Sequence, residues 1–187
     1  MSASLARTEV VAAAPRSAWL DLLRLGAALL VAALLQTTVA PNIRILGANP
    51  DFALIVVACI GLLRGCEVGA LFGFVAGGLV SLVLFEPLGV SSFVFVIVGY
   101  LAGRYAETAD LAGVAAPVLT VFAASLLGQC LFAITQFLLA RQVPFYYIAT
   151  RVIVPAVILD TLLAAPMYVA TRWWLRGEGV RRVHEAV

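Results

Sequence analysis

The feature that most constrains this chain is a series of apolar segments that occupies nearly its whole length. Six candidate spans lie at 19–40, 51–63, 67–85, 88–104, 111–140 and 148–171, since a spanning helix needs about 20 predominantly apolar residues. Hydrophobic residues make up 64% of the chain and charged residues only 12%, about half the charged share of a soluble domain. The sequence predicts an all-α, polytopic membrane bundle of six helices with short tails at 1–18 and 172–187, which leaves no room for a separate soluble catalytic domain.

The second segment needs a separate topological argument. Its apolar run, 52–63, has 12 residues, a length that would also suit a re-entrant segment entering and leaving on one side. Arginine placement favours a crossing, because basic residues concentrate in cytoplasmic loops. With six spans and a cytoplasmic N-terminus, only Arg44, Arg141 and Arg151 of the 12 arginines lie outside. We therefore expect six spans with both termini in the cytoplasm.

The first span has one alternative interpretation, a cleaved secretory signal peptide. Residues 25–35 resemble a signal-peptide core, and Thr38 and Ala40 resemble a small-residue cleavage site. The preceding region is long for a signal peptide and contains Glu9 and Asp21. We expect an uncleaved first helix.

Small residues recur at four-residue intervals in three of the predicted spans. They are Gly65, Gly69, Gly73 and Gly77 around the third span, Gly99 and Gly103 in the fourth, and Ala28 and Ala32 in the first. Four residues advance a helix by about 400°, so each set stays close to one face. In lipid, small residues let helix backbones approach closely. We expect packing surfaces, either inside the bundle or against another chain.

Three polar side chains are predicted at membrane depth. Asp160 lies near the middle of the sixth span, where an ionised carboxylate is costly unless it is paired or hydrated. Gln129 and Gln136 share one face of the fifth span and, with Thr161, are candidate partners for it. Two interpretations stay open for Asp160. In the first interpretation, Asp160 serves a function such as proton transfer. In the second, it is a hydrogen-bonded group that fixes helix register.

Catalytic, metal and nucleic-acid chemistry have little support in the sequence. The single histidine, His184, lies in the predicted C-terminal tail, away from any intramembrane nucleophile. Cys59, Cys66 and Cys130 lack the spacing of metal ligands. The net charge of only +2 gives no case for a nucleic-acid surface. We expect a non-enzymatic protein without metal or cofactor.

Four motifs follow one another in an order that carries a family resemblance. They are Pro50-Asp51 before a short apolar run, Gly69-x-x-x-Gly73-Phe74-x-x-Gly77, Pro87 to Gly89, and Gly99 to Gly103. Together they resemble the bacterial rod shape-determining protein family MreD over roughly residues 34–107, with weaker similarity at 159–172. The family usually has an aspartate where this chain has Ser81, and often an asparagine at the position of Asp160. The second difference favours the hydrogen-bonding interpretation of Asp160.

The resemblance implies a scaffold of the cell-elongation machinery in the bacterial inner membrane. It implies that the chain binds the bitopic protein MreC. It also implies joint action with RodA, a class B penicillin-binding protein and, indirectly, MreB filaments in directing lateral peptidoglycan synthesis. Membrane lipid and a second copy of the chain are further expected contacts, and nucleic acid is not.

The alternative function is the substrate-binding subunit of an energy-coupling-factor vitamin transporter, whose fold the MreD family resembles. Such a subunit needs an outward-facing pocket with convergent polar and aromatic groups. The predicted outer loops and their flanks offer candidates, which are Asn42, Arg44, Asn49, Glu86, Ser91, Ser92, Arg141, Gln142, Tyr146 and Tyr147. A carrier built on Asp160 is less supported, because the sequence has no visible inverted repeat.

Overall fold

The computed structural model describes residues 16–43, 48–85, 89–108, 115–138 and 153–175. These ranges contain six α-helices: α1 (Arg16–Leu34), α2 (Phe52–Arg64), α3 (Cys66–Leu84), α4 (Val90–Thr108), α5 (Ala115–Leu138) and α6 (Val154–Leu175). A π-helical turn, Leu35–Val39, and a 3-10 turn, Ala40–Asn42, extend α1. The all-helical prediction is confirmed for the described residues. Several predicted features lie outside the described residues, namely most of both tails, His184, Arg44, Glu86, Pro87, Arg141, Gln142, Arg151, Tyr146 and Tyr147.

Within the described residues, four helical segments are long and apolar enough to cross a membrane. They are Asp21–Asn42, Cys66–Leu84, Pro117–Thr135 and Val154–Leu175. The α2 helix has 13 residues, which corresponds to about 20 Å against the roughly 30 Å of a hydrocarbon core. The prediction of six crossings therefore depends on how α2 and α4 pack with these four segments.

The first four helices, α1 to α4, run in alternating directions. Three contacts tie the helices together at one end, and they join Arg64 to Asp21, Cys66 to Glu107, and Trp174 to Arg24. At the opposite end, the Ala53 N–H at the start of α2 donates to Gln36, just after α1. The first end is called the arginine end, because Arg24, Arg64, Arg104 and Arg172 all lie towards it.

The short α2 helix is the core of the bundle. Every residue from Phe52 to Leu62 is buried, as expected of a helix that is apolar on all sides. The surrounding helices expose large apolar side chains outwards, such as Leu71, Leu119 and Leu162. The α1 helix is peripheral, since only 6% of its most apolar stretch is buried. The α2 helix therefore packs almost entirely against protein.

Candidate functional site

Glycines bring α3 and α4 into direct backbone contact. A Cβ atom added at any of three glycines of α3 would collide with α4 backbone, and the pairs are Gly69 with Gly99, Gly73 with Phe95, and Gly77 with Ser92. Helices meet this closely only where side chains are absent or very small. The α3 stripe thus faces α4 inside the bundle, with no space for a helix of another chain at these positions.

The same close packing continues at the turn between α2 and α3. Gly103 lies against the backbone of Cys66, and Gly61 lies against the carbonyl group of Gly99. Gly65 has a φ of +91° and ends α2 while starting α3, a conformation that glycine adopts at little cost. Gly65 is therefore a turn residue, and Gly61 brings a second helix, α2, against the backbone of α4. Gly61 was not predicted as a packing residue, because it belongs to α2 and not to the four-residue series of α3.

The remaining small residues of α1 and α3 differ in how closely neighbouring atoms surround them. A Cβ at Gly78 would lie 3.6 Å from the Ser92 hydroxyl oxygen, and a Cβ at Gly26 would meet nothing within 4 Å. In α1, Ala32 is buried in the core and Ala28 packs against it. The alanine pair therefore faces the bundle, whereas Gly26 and Gly78 have room for a side chain.

A partly buried polar cluster lies at the N-terminus of α2. The Asp51 side chain caps the helix by accepting the Leu54 N–H at 3.0 Å. The Ala53 N–H donates to the side-chain Oε1 of Gln36 at 3.3 Å, and the Asp51 N–H donates to Oδ1 of Asp160 at 2.8 Å. The first N–H groups of a helix lack intrahelical partners, and a bilayer core supplies no water to replace them. Side chains of other helices therefore complete the start of α2.

Asp160 connects three helices through its carboxylate. It is 0% exposed, and its Oδ2 accepts the Ser125 hydroxyl of α5 at 2.5 Å, while Oδ1 accepts the Asp51 N–H at the start of α2. Among the described residues, Asp51 and Ser125 are the hydrogen-bond donors to this carboxylate. Asp160 thus joins α2, α5 and α6.

The predicted partners of Asp160 have different surroundings. Gln129 lies one turn after Ser125 and is half-buried. The Thr161 hydroxyl donates to the Val157 carbonyl at 2.6 Å. The side chain of Gln136 lies outside the described part of the chain. Ser125 was not among the predicted partners, although it is a hydroxyl-bearing residue four positions before Gln129 in an apolar span.

Glu107 caps α3 from a neighbouring helix at the arginine end. Its Oε1 accepts the Cys66 N–H at 3.1 Å, and its Oε2 accepts the Arg104 guanidinium at 3.2 Å. The Cys66 thiol and N–H, followed by Arg104, hold the pKa of Glu107 below its ordinary value. A carboxylate at a helix N-terminus also interacts favourably with the helix dipole.

Lowering the pH should therefore weaken this junction. A carboxyl group whose pKa is depressed by folding stabilises the protein above its unfolded-state pKa, and that contribution is lost as the pH falls through the lower folded-state value. Glu107→Gln should reduce the dependence of the unfolding temperature on pH over this acidic range. Unfolding in detergent at a series of pH values measures it, with Glu67→Gln at the exposed start of α3 as the matched control. Equal pH dependence in wild type and Glu107→Gln would contradict the assignment.

Ser81 is a buried polar residue with an unusual environment. It is 1% exposed, and its hydroxyl has no hydrogen-bond partner among the described residues. Ser92, by contrast, donates its hydroxyl to the Phe74 carbonyl at 3.1 Å. A buried polar group without a partner costs about 1–3 kcal/mol. The Ser81 hydroxyl therefore contributes no hydrogen bond within the described part of the chain.

Ser81→Ala should therefore leave the free energy of unfolding unchanged or raise it by up to about 1 kcal/mol. Ser92→Ala should lower it by about 1 kcal/mol, because a hydrogen bond is lost. Thermal unfolding of the two variants in the same detergent makes the comparison. Equal destabilisation by both substitutions would mean that the Ser81 hydroxyl does contribute to stability.

The described residues contain no cluster of three or more His, Cys, Asp or Glu side chains that could hold a metal ion.

Residues 19–177 of the chain match the model of the MreD family, described as rod shape-determining protein MreD. No curated protein and no solved structure matches this chain. The similarity to the substrate-binding subunits of vitamin transporters stays a prediction.

Proposed function

This chain belongs to the MreD family of rod shape-determining proteins, and we propose that it acts as a non-enzymatic membrane scaffold of the bacterial elongation complex. The observation that supports this most is the close packing and hydrogen bonding between helices inside the bundle. Glycines on α3 and α4 bring backbones together, and the buried carboxylate of Asp160 accepts hydrogen bonds that fix α2 and α5. These interior groups are used to hold helices in place, which suits a platform with a fixed outer shape.

The proposed partner is the bitopic protein MreC, with RodA, a class B penicillin-binding protein and, indirectly, MreB in the same complex. Because Gly69, Gly73 and Gly77 face α4, a partner helix would bind the outer apolar faces of the bundle. Those faces carry large exposed side chains, including Leu71, Phe93 and Leu162. Large side chains that fit a partner's surface supply dispersion contacts when helices associate in lipid.

We propose that the bundle crosses the bacterial inner membrane six times with both termini in the cytoplasm. The alternating directions of the first four helices support this, because each helix runs back towards the end of the bundle from which the preceding helix came. The arginine end would be cytoplasmic by the positive-inside rule, because Arg24, Arg64, Arg104 and Arg172 lie towards it. The short α2 helix would complete its crossing while enclosed by protein.

Affinity purification of the tagged chain from its native membranes, followed by mass spectrometry, tests the proposal. We expect MreC, RodA or a penicillin-binding protein to be enriched over a control purification of an unrelated tagged membrane protein. Enrichment of a transmembrane coupling subunit with two ATPases would instead indicate the vitamin-transporter function. In that case the predicted outer loops would become the region to mutate.

A further inference from the structure

The outer side of α6 has an open depression near the arginine end. It is lined by short or apolar side chains together with one cationic and one aromatic side chain, and these are Ala165, Pro166, Val169, Ala170, Arg172 and Trp173. The α6 helix is among the segments long and apolar enough to cross a membrane, and Val169 and Trp173 are exposed. In a bilayer this depression would therefore open towards lipid.

The depression has the depth of one leaflet. Its lining residues span 165–173, about 12 Å of helix, and all lie in the half of α6 nearer the arginine end. A partner helix crosses the whole hydrocarbon core of about 30 Å, whereas the acyl chains of a phospholipid stay within one leaflet. The extent of the depression therefore fits an acyl chain better than a transmembrane helix.

Short side chains give the depression its shape. They belong to Ala165, Pro166 and Ala170. They lie between two large side chains, Leu162 and Trp173, which are both exposed. An acyl chain lying along α6 would contact the short residues and be flanked by the two large ones, and it would gain dispersion contacts there.

Arg172 supplies a cation at the end of the depression. Its side chain is exposed, and it forms no ion pair with any described residue, unlike Arg104, which pairs with Glu107. A guanidinium group can bind phosphate oxygens through two parallel N–H···O bonds. Trp173, the next residue, is 74% exposed, and tryptophan rings are enriched at the headgroup level of membranes. The cation and the ring therefore lie where a lipid headgroup is expected.

We propose that this face of α6 binds one anionic phospholipid, with the phosphate on Arg172 and an acyl chain in the depression. An anionic lipid is favoured over a zwitterionic one, because the headgroup of the latter carries a cation that a guanidinium repels. The proposal goes beyond the scaffold role and does not depend on it, since it requires only that α6 crosses the membrane. The helix dipole also favours a cation in the last turn, so the test measures lipid preference and not stability.

Quenching of Trp173 fluorescence by brominated lipid tests the proposal. Trp19 and Trp174 are replaced by phenylalanine, in a background that keeps the wild-type unfolding temperature, so that Trp173 is the only tryptophan. The full chain is placed in vesicles of brominated phosphatidylcholine mixed with unbrominated phosphatidylglycerol or phosphatidylcholine. Either lipid restores fluorescence as it replaces brominated lipid beside the ring. Native mass spectrometry of the wild-type chain with the same two lipids repeats the comparison without tryptophan substitutions.

We expect phosphatidylglycerol to compete about fivefold better than phosphatidylcholine. Arg172→Gln should abolish this preference, and Ala170→Leu, which fills the depression, should reduce it. Arg104→Gln removes a cation at the same end of the bundle and should leave the preference unchanged. Equal recovery by the two lipids would overturn the proposal. So would a preference that survives Arg172→Gln or Ala170→Leu undiminished, or one that Arg104→Gln removes as well.

Discussion

Gly77→Ala should destabilise the bundle strongly, although it adds only one methyl group. The new Cβ would collide with the backbone of Ser92 in α4, and backbone atoms cannot turn aside as a flexible side chain can. Overpacking a core usually costs about 1–3 kcal/mol, and we expect the upper part of that range or more. The unfolding temperature in detergent, followed by size-exclusion chromatography of heated samples, measures the loss.

The neighbouring residue Gly78 provides a matched control. A Cβ there would lie 3.6 Å from the Ser92 hydroxyl oxygen, at ordinary contact distance. Alanine favours a helix over glycine by about 1 kcal/mol, so Gly78→Ala should be neutral or stabilising. If Gly77→Ala were as stable as Gly78→Ala, α3 and α4 would not be packed backbone to backbone. Loss of partner binding in Gly77→Leu would likewise follow from loss of the fold.

Asp160→Leu should also lower stability, while Asp160→Asn should largely preserve it. Leucine would leave the Asp51 N–H and the Ser125 hydroxyl buried without their acceptor, at about 1–3 kcal/mol for each group. Asparagine can still accept the Asp51 N–H, and its amide N–H can donate to the Ser125 oxygen. We therefore expect Asp160→Leu to lose about 2 kcal/mol or more, and Asp160→Asn to lose less than about 1 kcal/mol.

The same pair of variants separates the two interpretations of Asp160. Asparagine retains hydrogen bonding but cannot carry a proton through ionisation. If Asp160 fixes helix register, Asp160→Asn should support cell shape as well as wild type does. A stable Asp160→Asn protein that fails to support cell shape would favour proton transfer. Ser125→Ala, which removes one donor to the carboxylate, should be intermediate in stability.

The helices could be predicted from the sequence because their signal is local. Each apolar run is long enough to identify a helix, whereas the turn at Gly65 was not predicted, because its four-residue spacing placed it with the packing glycines of α3. The central position of α2 could not be predicted in this way. Hydropathy does not distinguish burial in lipid from burial in protein. The short length of α2 was therefore compatible with a re-entrant segment, a core helix or a crossing.

The sequence revealed much of the glycine face and less of the polar cluster. Four-residue spacing showed that Gly69, Gly73 and Gly77 share a helix face, but which helix they contact depends on tertiary packing. Asp160 stood out as a carboxylate in an apolar span. One of its two donors among the described residues is the backbone N–H of Asp51. Nearly every residue carries such a group, so the side-chain pattern of the sequence does not identify it. The other, Ser125, depends on the register between α5 and α6.

The most direct test of the scaffold account is cell shape after controlled depletion of this chain in its native bacterium, measured by microscopy together with labelling of new peptidoglycan. We predict that depleted cells lose their rod shape and their lateral wall synthesis. Re-expression of wild type or Gly78→Ala should restore both, and Gly77→Leu should restore neither. Depleted cells that remain rods with normal lateral incorporation would contradict the account.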